Sequence, residues 1–321
     1  MFQLKFIITN GNLRGISVEE HALDLDELYK RYKPYFISIA YQMLGSFVDA
    51  EDIIQDIFIK LQEKGTSTLD INHVKSYVSK MVINACINEL KSSRKKRETY
   101  IGTWLLEPIV QGSQIEPSEK IIQNEQLSYA FVVLMEKLST TEREVYVLRE
   151  ALGLKHSEIA GMLHMAEANC RKMYSRAKKK MAMLSACNHK AYETQKEHVA
   201  TFISALSKGN IHQISEILTS DVTLIADGGG KVVTAINKIS SREHVLALLH
   251  AISTKFFEGK KALSVRVNNQ PGILISKDET PVGVFCFAWS QDERQIEQIF
   301  YIVNPDKLTN ISVLDNVTPE V

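Results

Sequence analysis

A chain of 321 residues is too long for one small domain, so two or three compact units are expected. The hydrophobic content of 45% suits globular domains, and no apolar run approaches the roughly 20 residues of a membrane span. The net charge is zero, but residues 91–97 hold five basic side chains and residues 165–184 hold six. Phosphates respond to such local patches, so this distribution favours a nucleic-acid partner.

The N-terminus lacks the features of a signal peptide, so a cytoplasmic location is expected. The cysteines have no paired spacing for zinc or a redox dithiol; they are Cys86, Cys170, Cys187 and Cys286. We therefore expect buried thiols, no metal and no cofactor.

Helical periodicity dominates the first 184 residues. Amphipathic helices are predicted over 28–44, 50–61 and 74–91, and Gly and Pro then indicate a linker over 98–123. Helices resume near residue 127. Ser139-Thr-Thr-Glu142 is typical of a capping box, and residues 139–180 read as a helix-turn-helix whose basic last helix covers 167–184.

Beyond residue 190 the pattern indicates an α+β domain. Residues 192–218 and 242–255 have helical spacing. Strands at 222–226 and 231–236 are predicted to form a β-hairpin around Asp227-Gly-Gly-Gly230. Further strands are expected at 262–268, 281–289 and 296–303.

The helix over 50–61 carries Asp52, Gln55 and Asp56 opposite its apolar stripe. On an isolated helix, a solvated acidic face is the ordinary interpretation. The following helix makes a purely solvated face a less favoured interpretation. It aligns polar and basic side chains just before a basic cluster that includes Arg94; they are Lys80, Asn84, Asn88 and Lys91. An acidic helix followed by a basic one favours separate contacts with a protein and with DNA.

The last helix of the helix-turn-helix presents polar and basic side chains opposite an apolar side. They are Asn169, Arg171, Lys172, Arg176 and Lys179. This arrangement suits a recognition helix that enters the major groove, although an ordinary three-helix bundle with a basic face is the alternative.

Both helical blocks resemble one family, the extracytoplasmic-function RNA polymerase sigma factors. The first block contains Ala40-Tyr-Gln-Met-Leu-Gly-Ser46, Asp49-Ala-Glu-Asp-Ile-Ile-Gln-Asp56 and the segment 77–91. The second contains Leu138-Ser139, Glu142-Arg143, Val147-Leu-Arg-Glu150, Glu158-Ile-Ala160 and Ser175-Arg-Ala177. The resemblance covers about half of the chain.

This resemblance implies two all-α domains that act in promoter-specific transcription initiation. Asp52, Gln55 and Asp56 would bind core RNA polymerase at the clamp helices of its largest subunit. The basic group of the first block would contact the minus-ten element of promoter DNA: Lys80, Asn84, Asn88, Lys91 and Arg94. The group of the second block would read the minus-thirty-five element: Asn169, Arg171, Lys172, Arg176 and Lys179.

Three more segments resemble sigma factors with a C-terminal SnoaL-like domain, an α+β cone. They are Arg97–Pro108, Asp227-Gly-Gly-Gly-Lys231 and Asn304-Pro-Asp-Lys-Leu308. Leu106 stands where these sigma factors usually have a proline. Ala166 stands where they usually have a Ser at the N-cap of the recognition helix, and this change costs about 1 kcal/mol of local helix stability.

We expect these segments to form an intramolecular regulatory interface. Its members are Trp104, Glu107, Pro108, Asp227, Gly228, Gly229, Gly230, Lys231, Asn304, Pro305, Asp306, Lys307 and Leu308.

The predicted organisation has six parts: an N-terminal arm over 1–22 of open order, sigma region two over 23–97, a linker over 98–123, sigma region four over 124–186, a SnoaL-like regulatory domain over 190–310 and a tail over 311–321. The favoured function is non-enzymatic. Two alternatives stay open: a ligand-responsive helix-turn-helix regulator, and a DNA-binding module fused to an isomerase that uses Asp227 or His244 as its base. A small-molecule ligand in the cone also stays open.

Overall fold

The computed structural model describes residues 5–9, 12–16, 25–64, 74–110, 128–182, 192–256 and 258–311. Four parts of the predicted organisation lie outside the described residues. They are residues 111–123 of the linker, the end of the basic helix beyond residue 182, Cys187, and the tail from residue 312. Within those ranges, no helix combines the length and apolar content needed to cross a bilayer. Cys86, Cys170 and Cys286 are free and buried.

The N-terminal arm, whose order the sequence leaves open, contains an antiparallel pair of strands, β1 (Lys5–Thr9) and β2 (Asn12–Ile16). Three helices follow: α1 (Leu25–Leu44), α2 (Phe47–Lys64) and α3 (Val74–Glu98). They confirm the three helices predicted from periodicity.

The corner between α1 and α2 requires a glycine. Gly45 has a φ of +69°, and its amide donates to the Tyr41 carbonyl at 2.8 Å. A Cβ at this position would overlap the Leu106 side chain, so the linker lies directly against the corner. The sequence placed Gly45 as a helix end, but it could not show this second role.

The second helical unit contains α4 (Tyr129–Met135), α5 (Thr140–Glu150), α6 (His156–Met162) and α7 (Glu167–Met181). The predicted capping box is confirmed: Ser139 N donates to Glu142 Oε2 at 2.9 Å, and Glu142 N donates to Ser139 Oγ at 3.3 Å. Ala166 is the N-cap of α7 and supplies no side-chain hydrogen bond, as its lack of a hydroxyl predicts.

The C-terminal unit is the expected α+β cone. Its helices are α8 (Tyr192–Ser207), α9 (Ile211–Glu216) and α10 (Arg242–Phe256). Its strands are β3 (Leu218–Asp227), β4 (Ile239–Ser240), β5 (Lys261–Val267), β6 (Gln270–Lys277), β7 (Thr280–Trp289) and β8 (Ile296–Ile302). The sheet has the order β4-β3-β8-β7-β6-β5; β3 is parallel to β8, and the other pairs are antiparallel.

The predicted β-hairpin around Asp227 is wrong. Only its first strand forms, and it pairs with β8 and the short β4 instead of residues 231–236. The reason lies in the glycine turn, where the Gly228 carbonyl accepts from the amides of Lys231 and Val232 and curls the chain away from β3.

Two other predictions differ from the structure in detail. The helix expected over 192–218 divides at Gly209, which has a φ of +66° and separates α8 from α9. The strand β6 was missed because Pro271 and Gly272 look like loop residues and because the strand is buried on both faces, which removes the alternating pattern.

Both faces of the cone sheet are covered. Phe202 of α8 and Leu249 of α10 pack on one face together with Phe285 and Ile299. On the other face, Val284, Cys286, Phe300 and Ile302 belong to the same apolar cluster as the helices α1 to α7. The rings of Tyr129 in α4 and Phe300 lie 5.3 Å apart. The sigma-like half and the cone therefore share one core.

A shared core predicts that a change in the sheet destabilises the whole chain. Phe300→Ala should lower the free energy of unfolding by about 3 to 5 kcal/mol, because the substitution leaves a cavity between α4 and β8. Calorimetry of the full chain should show one cooperative transition at a lower temperature. The control is Val233→Ala, at a fully exposed position, which should change stability by less than about 0.5 kcal/mol. Separate transitions for the two halves would contradict the shared core.

Candidate functional site

The exposed face of α2 carries Asp52, Gln55 and Asp56, as the sequence predicts. Two exposed apolar side chains, Val48 at 38% and Ile59 at 54%, lie one turn before and after the acidic residues on this face. The opposite face is buried in the core. The result is an acidic surface with apolar ends, a composition suited to a protein partner.

The exposed face of α3 carries Lys80, Asn84 and Asn88. Lys91 and Arg94 lie in the same helix, but their side chains are outside the described part. By helical spacing, Tyr77 belongs with the apolar residues of α3. However, 42% of its surface is exposed, and it lies on the same face as Lys80 and Asn84. Sequence reasoning therefore missed an aromatic member of this surface.

The predicted recognition helix α7 is anchored on one side and exposed on the other. Cys170, Ala177 and Met181 are buried. The predicted group is exposed: Asn169, Arg171, Lys172, Arg176 and Lys179. Arg171 contacts Glu167 at 2.6 Å, but such exposed pairs contribute little and leave the guanidinium accessible.

Two polar contacts hold α7 in its place. The Tyr174 hydroxyl donates to Glu150 Oε1 of α5. Lys180 Nζ donates to Glu142 Oε2 at 2.6 Å; although burial raises the pKa of Glu142, the hydrogen bonds from Lys180 and from the Ser139 amide hold it below its usual value. Lys180 thus joins α7 to the capping box of α5.

A buried arginine connects the two helical units. Arg143 of α5 donates to the carbonyl of Met43 in α1 at 2.6 Å and to the carbonyl of Met135 in α4 at 3.0 Å. It also pairs with Glu136 at 2.9 Å. The motif Glu142-Arg143 was visible in the sequence, but nothing there assigned this contact.

The linker over residues 100–110 lies between the helices and the cone, bends at residues 101 and 102, and forms a bridge from Val110 to Val267. The Tyr100 hydroxyl donates to Asp227 Oδ1 and accepts from Asn304 Nδ2 at 2.8 Å. Burial and the hydrogen bond to Asp227 raise the pKa of Tyr100 well above its ordinary value, so the hydroxyl stays protonated as a donor. Asp227 Oδ2 accepts from the Leu105 amide at 2.8 Å.

A buried ion pair lies at the centre of this junction. Lys307 Nζ is 2.6 Å from Asp227 Oδ2, and the two side chains are 8% and 0% exposed. The ammonium group also donates to the Leu105 carbonyl and lies 3.6 Å from the centroid of the Trp104 ring. Desolvation of both charges is costly, so the added hydrogen bonds and the cation–π contact are needed to offset it.

The glycine turn fits tightly against the segment 304–308. The Gly229 amide donates to Asp227 Oδ1 at 3.0 Å with a φ of +61°, and a Cβ there would overlap the Asn304 side chain. Asn304 caps the short 3-10 helix Pro305–Lys307 through the Asp306 amide. A Cβ at Gly228 would overlap the Val232 carbonyl, and a Cβ at Gly230 would lie tight against the Ile101 side chain.

The other residues predicted for the regulatory interface differ in exposure. Lys231 and Asp306 form a surface ion pair at 2.7 Å that stabilises little. Leu308, Pro108 and Glu107 are buried, and Glu107 contacts both α2 and the cone. The structure thus brings the three predicted segments together at one junction.

The two candidate general bases are poorly placed for catalysis. Asp227 has both carboxylate oxygens engaged by the linker, Lys307 and Gly229. His244 is exposed at the start of α10, where its ring contacts Ser241 and the Ser240 carbonyl. The two residues therefore lie in different surroundings.

Comparisons with known proteins agree with this architecture. The family model "Sigma-70 region 2" matches residues 28–96, and "Sigma-70, region 4" matches residues 129–181. "ECF RNA polymerase sigma factor SigJ" of Mycobacterium tuberculosis (strain ATCC 25618 / H37Rv) is 27% identical over 72% of this chain and 74% of its own length. "Probable ECF RNA polymerase sigma factor SigI" of the CDC 1551 / Oshkosh strain is 24% identical over 87% of this chain and 93% of its own.

One solved structure shares the arrangement of the fold. The crystal structure of the M. tuberculosis extracytoplasmic function sigma factor SigJ superposes with a TM-score of 0.71 at 24% identity, covering 89% of this chain and 99% of that one. The likeness therefore extends over both helical units and the cone.

The buried ion pair makes a prediction about stability. Asp227→Asn should lower the free energy of unfolding by about 3 kcal/mol, because it leaves the Lys307 ammonium buried without a counter-charge. The double variant with Lys307→Met should lose less than the sum of the single variants. Urea unfolding of the full chain measures all three. Lys231→Ala, which removes the exposed pair with Asp306, is the control and should cost less than about 1 kcal/mol; additive losses at Asp227 and Lys307 would contradict the coupling.

Proposed function

We infer that this chain belongs to the extracytoplasmic-function RNA polymerase sigma factors, of the SigJ type, and directs transcription initiation. Within that role, we propose which surfaces bind polymerase and DNA, and what the cone does. The junction of linker, glycine turn and residues 304–308 is the observation that carries the regulatory part of this proposal.

The polymerase contact is assigned to α2. Asp52 and Asp56 are one helical turn apart and exposed, so both can make charge-assisted hydrogen bonds to basic groups on the clamp helices. Val48 and Ile59 add apolar area at the ends of this acidic face, which supports binding that salt does not fully remove.

The minus-ten contact is assigned to α3. Lys80, Asn84 and Asn88 face solvent, with Lys91 and Arg94 farther along the same helix. Tyr77 supplies an exposed aromatic ring on this face, and such a ring can stack on a base that has left the duplex. Opening of the promoter duplex then requires no chemical reaction by the protein. It requires only binding that favours the unpaired DNA strand.

The minus-thirty-five contact is assigned to α7. Asn169, Arg171 and Lys172 lie in its N-terminal half, the part of a recognition helix that meets base edges. Arg176 and Lys179 lie farther along, where basic side chains hold phosphates.

The cone is proposed to be a non-catalytic regulatory domain. Asp227 is occupied at the linker junction and His244 lies at the surface, which supports a role in holding the linker. On the helix-covered face of the sheet, Phe202 and Phe287 rings are 5.6 Å apart and Phe285 stacks on Tyr301 at 4.1 Å. We therefore assign regulation to the contact between Asp227 and the linker.

The polymerase assignment is tested by charge reversal. The double variant Asp52→Lys/Asp56→Lys should abolish binding to core RNA polymerase in a titration with labelled full-length chain, because two attractive contacts become repulsive. The matched control is Glu193→Lys/Glu197→Lys, with the same spacing on exposed positions of α8. Unchanged core affinity in the α2 variant, with an unchanged circular dichroism spectrum, would refute the assignment.

The DNA assignment separates two roles within α7. Arg171→Ala should relax the preference for the minus-thirty-five sequence by roughly 1 to 3 kcal/mol, because base-edge contacts are lost. Lys179→Ala should weaken binding to all sequences alike and reduce the salt dependence. Competition binding of holoenzyme to specific and scrambled promoters at several salt concentrations measures both effects. An identical, sequence-independent loss in both variants would show that the division is wrong.

A further inference from the structure

Glu107 is a buried carboxylate in the middle of the linker, with only 5% of its surface exposed. Its backbone is fixed on both sides: its amide donates to the Gly45 carbonyl at 2.9 Å, and its carbonyl accepts from the Tyr41 hydroxyl at 2.8 Å. Asn268 of the cone donates to the same hydroxyl at 2.9 Å. The side chain therefore has a defined position and direction.

The carboxylate lies at the N-terminus of α2. Its Oε2 accepts from the amide of Phe47 at 2.8 Å, from the amide of Val48 at 3.3 Å and from Ser46 Oγ at 3.1 Å. Ser46 Oγ in turn accepts from the Asp49 amide at 3.2 Å. A negative charge here satisfies free helix amides and interacts favourably with the helix dipole. Glu107 and Ser46 together cap the helix.

The other carboxylate oxygen belongs to the cone. Oε1 accepts from Asn310 Nδ2 at 3.0 Å. Asn310 follows the segment that the Lys307–Asp227 pair fixes to the sheet, so its position depends on the cone being docked. One carboxylate thus connects the docked cone to the first turn of the helix that carries Asp52 and Asp56.

We propose that Glu107 is a positioning residue through which the docked cone strengthens the polymerase-binding helix. The inference rests on the proposed function of α2. When the cone is docked, Asn310 holds Glu107 in its capping position, the first turn of α2 is ordered, and the acidic face is preorganised for the clamp helices. Without the hydrogen bond from Asn310, Glu107 is held less firmly and the first turn of α2 frays.

Glu107→Gln is the direct test, because an amide cannot accept hydrogen bonds on both of its polar atoms. Either the α2 amides or Asn310 lose their acceptor. We expect roughly fivefold weaker binding of the full chain to core polymerase, together with faster hydrogen exchange of the Phe47 and Val48 amides. The melting temperature should change much less than in Asp227→Asn. Wild-type affinity and exchange in Glu107→Gln would overturn the inference.

Asn310→Ala tests the coupling to the cone without touching the cap. It should weaken core binding roughly twofold, since only one of the hydrogen bonds to Glu107 is lost, and the double variant with Glu107→Gln should be no weaker than Glu107→Gln alone. Additive effects would mean that Asn310 acts by another route and would overturn the coupling. Thr309→Ala, at the exposed neighbouring position, is the control and should bind like the wild type.

The charge-reversal variant separates this inference from the function beneath it. If Asp52→Lys/Asp56→Lys loses core binding while both Glu107→Gln and Asn310→Ala retain it, the coupling is wrong and the polymerase assignment stands. If the charge reversal also binds like the wild type, the assignment of α2 itself fails.

Discussion

The cone sheet has two apolar faces, and the helices of the cone itself cover one of them. A six-stranded sheet covered by helices on one side still exposes Val284, Cys286, Phe300 and Ile302 on the other. Exposed apolar patches of that kind are costly in water and must be covered. Here the helices α1 to α7 and the linker provide the cover, so the cone and the helical units form one structural whole.

The linker gains its structure from that arrangement. Apart from the bridge between Val110 and Val267, it has no regular secondary structure over 100–110, and neighbours on both sides satisfy its polar groups. The cone satisfies Tyr100 and Leu105 through Asp227, and the helices satisfy Glu107 through Gly45 and the first turn of α2. The same segment therefore contacts the cone and supports the helix proposed to bind polymerase.

Charge placement separates the surfaces for binding from the groups that maintain the fold. Asp52 and Asp56 of α2, Lys80 of α3 and Arg171 of α7 are exposed and available to partners. Arg143, Asp227 and Lys307 are buried, and each is surrounded by hydrogen bonds that offset its desolvation. Sequence composition alone, with a net charge of zero, does not distinguish these two groups.

Features that depend on local physics could be predicted from the sequence. Helical periodicity located α1, α2, α3 and the helix-turn-helix, Ser139 and Glu142 located a cap, and helical spacing predicted which faces of α2 and α7 are exposed. These features depend on residues close together in the chain, so the sequence records them directly.

Contacts between residues distant in the chain could be seen only in the folded structure. It alone showed that β3 pairs with β8 and not with residues 231–236, that Tyr77 faces solvent, and that Arg143 joins α1 to α5. It also showed that Glu107 caps a helix some 60 positions earlier in the chain and that Lys307 neutralises Asp227. The physical reason is the same in each case: the partners are far apart in sequence, and no local pattern of hydrophobicity or charge records which distant group will satisfy a buried one.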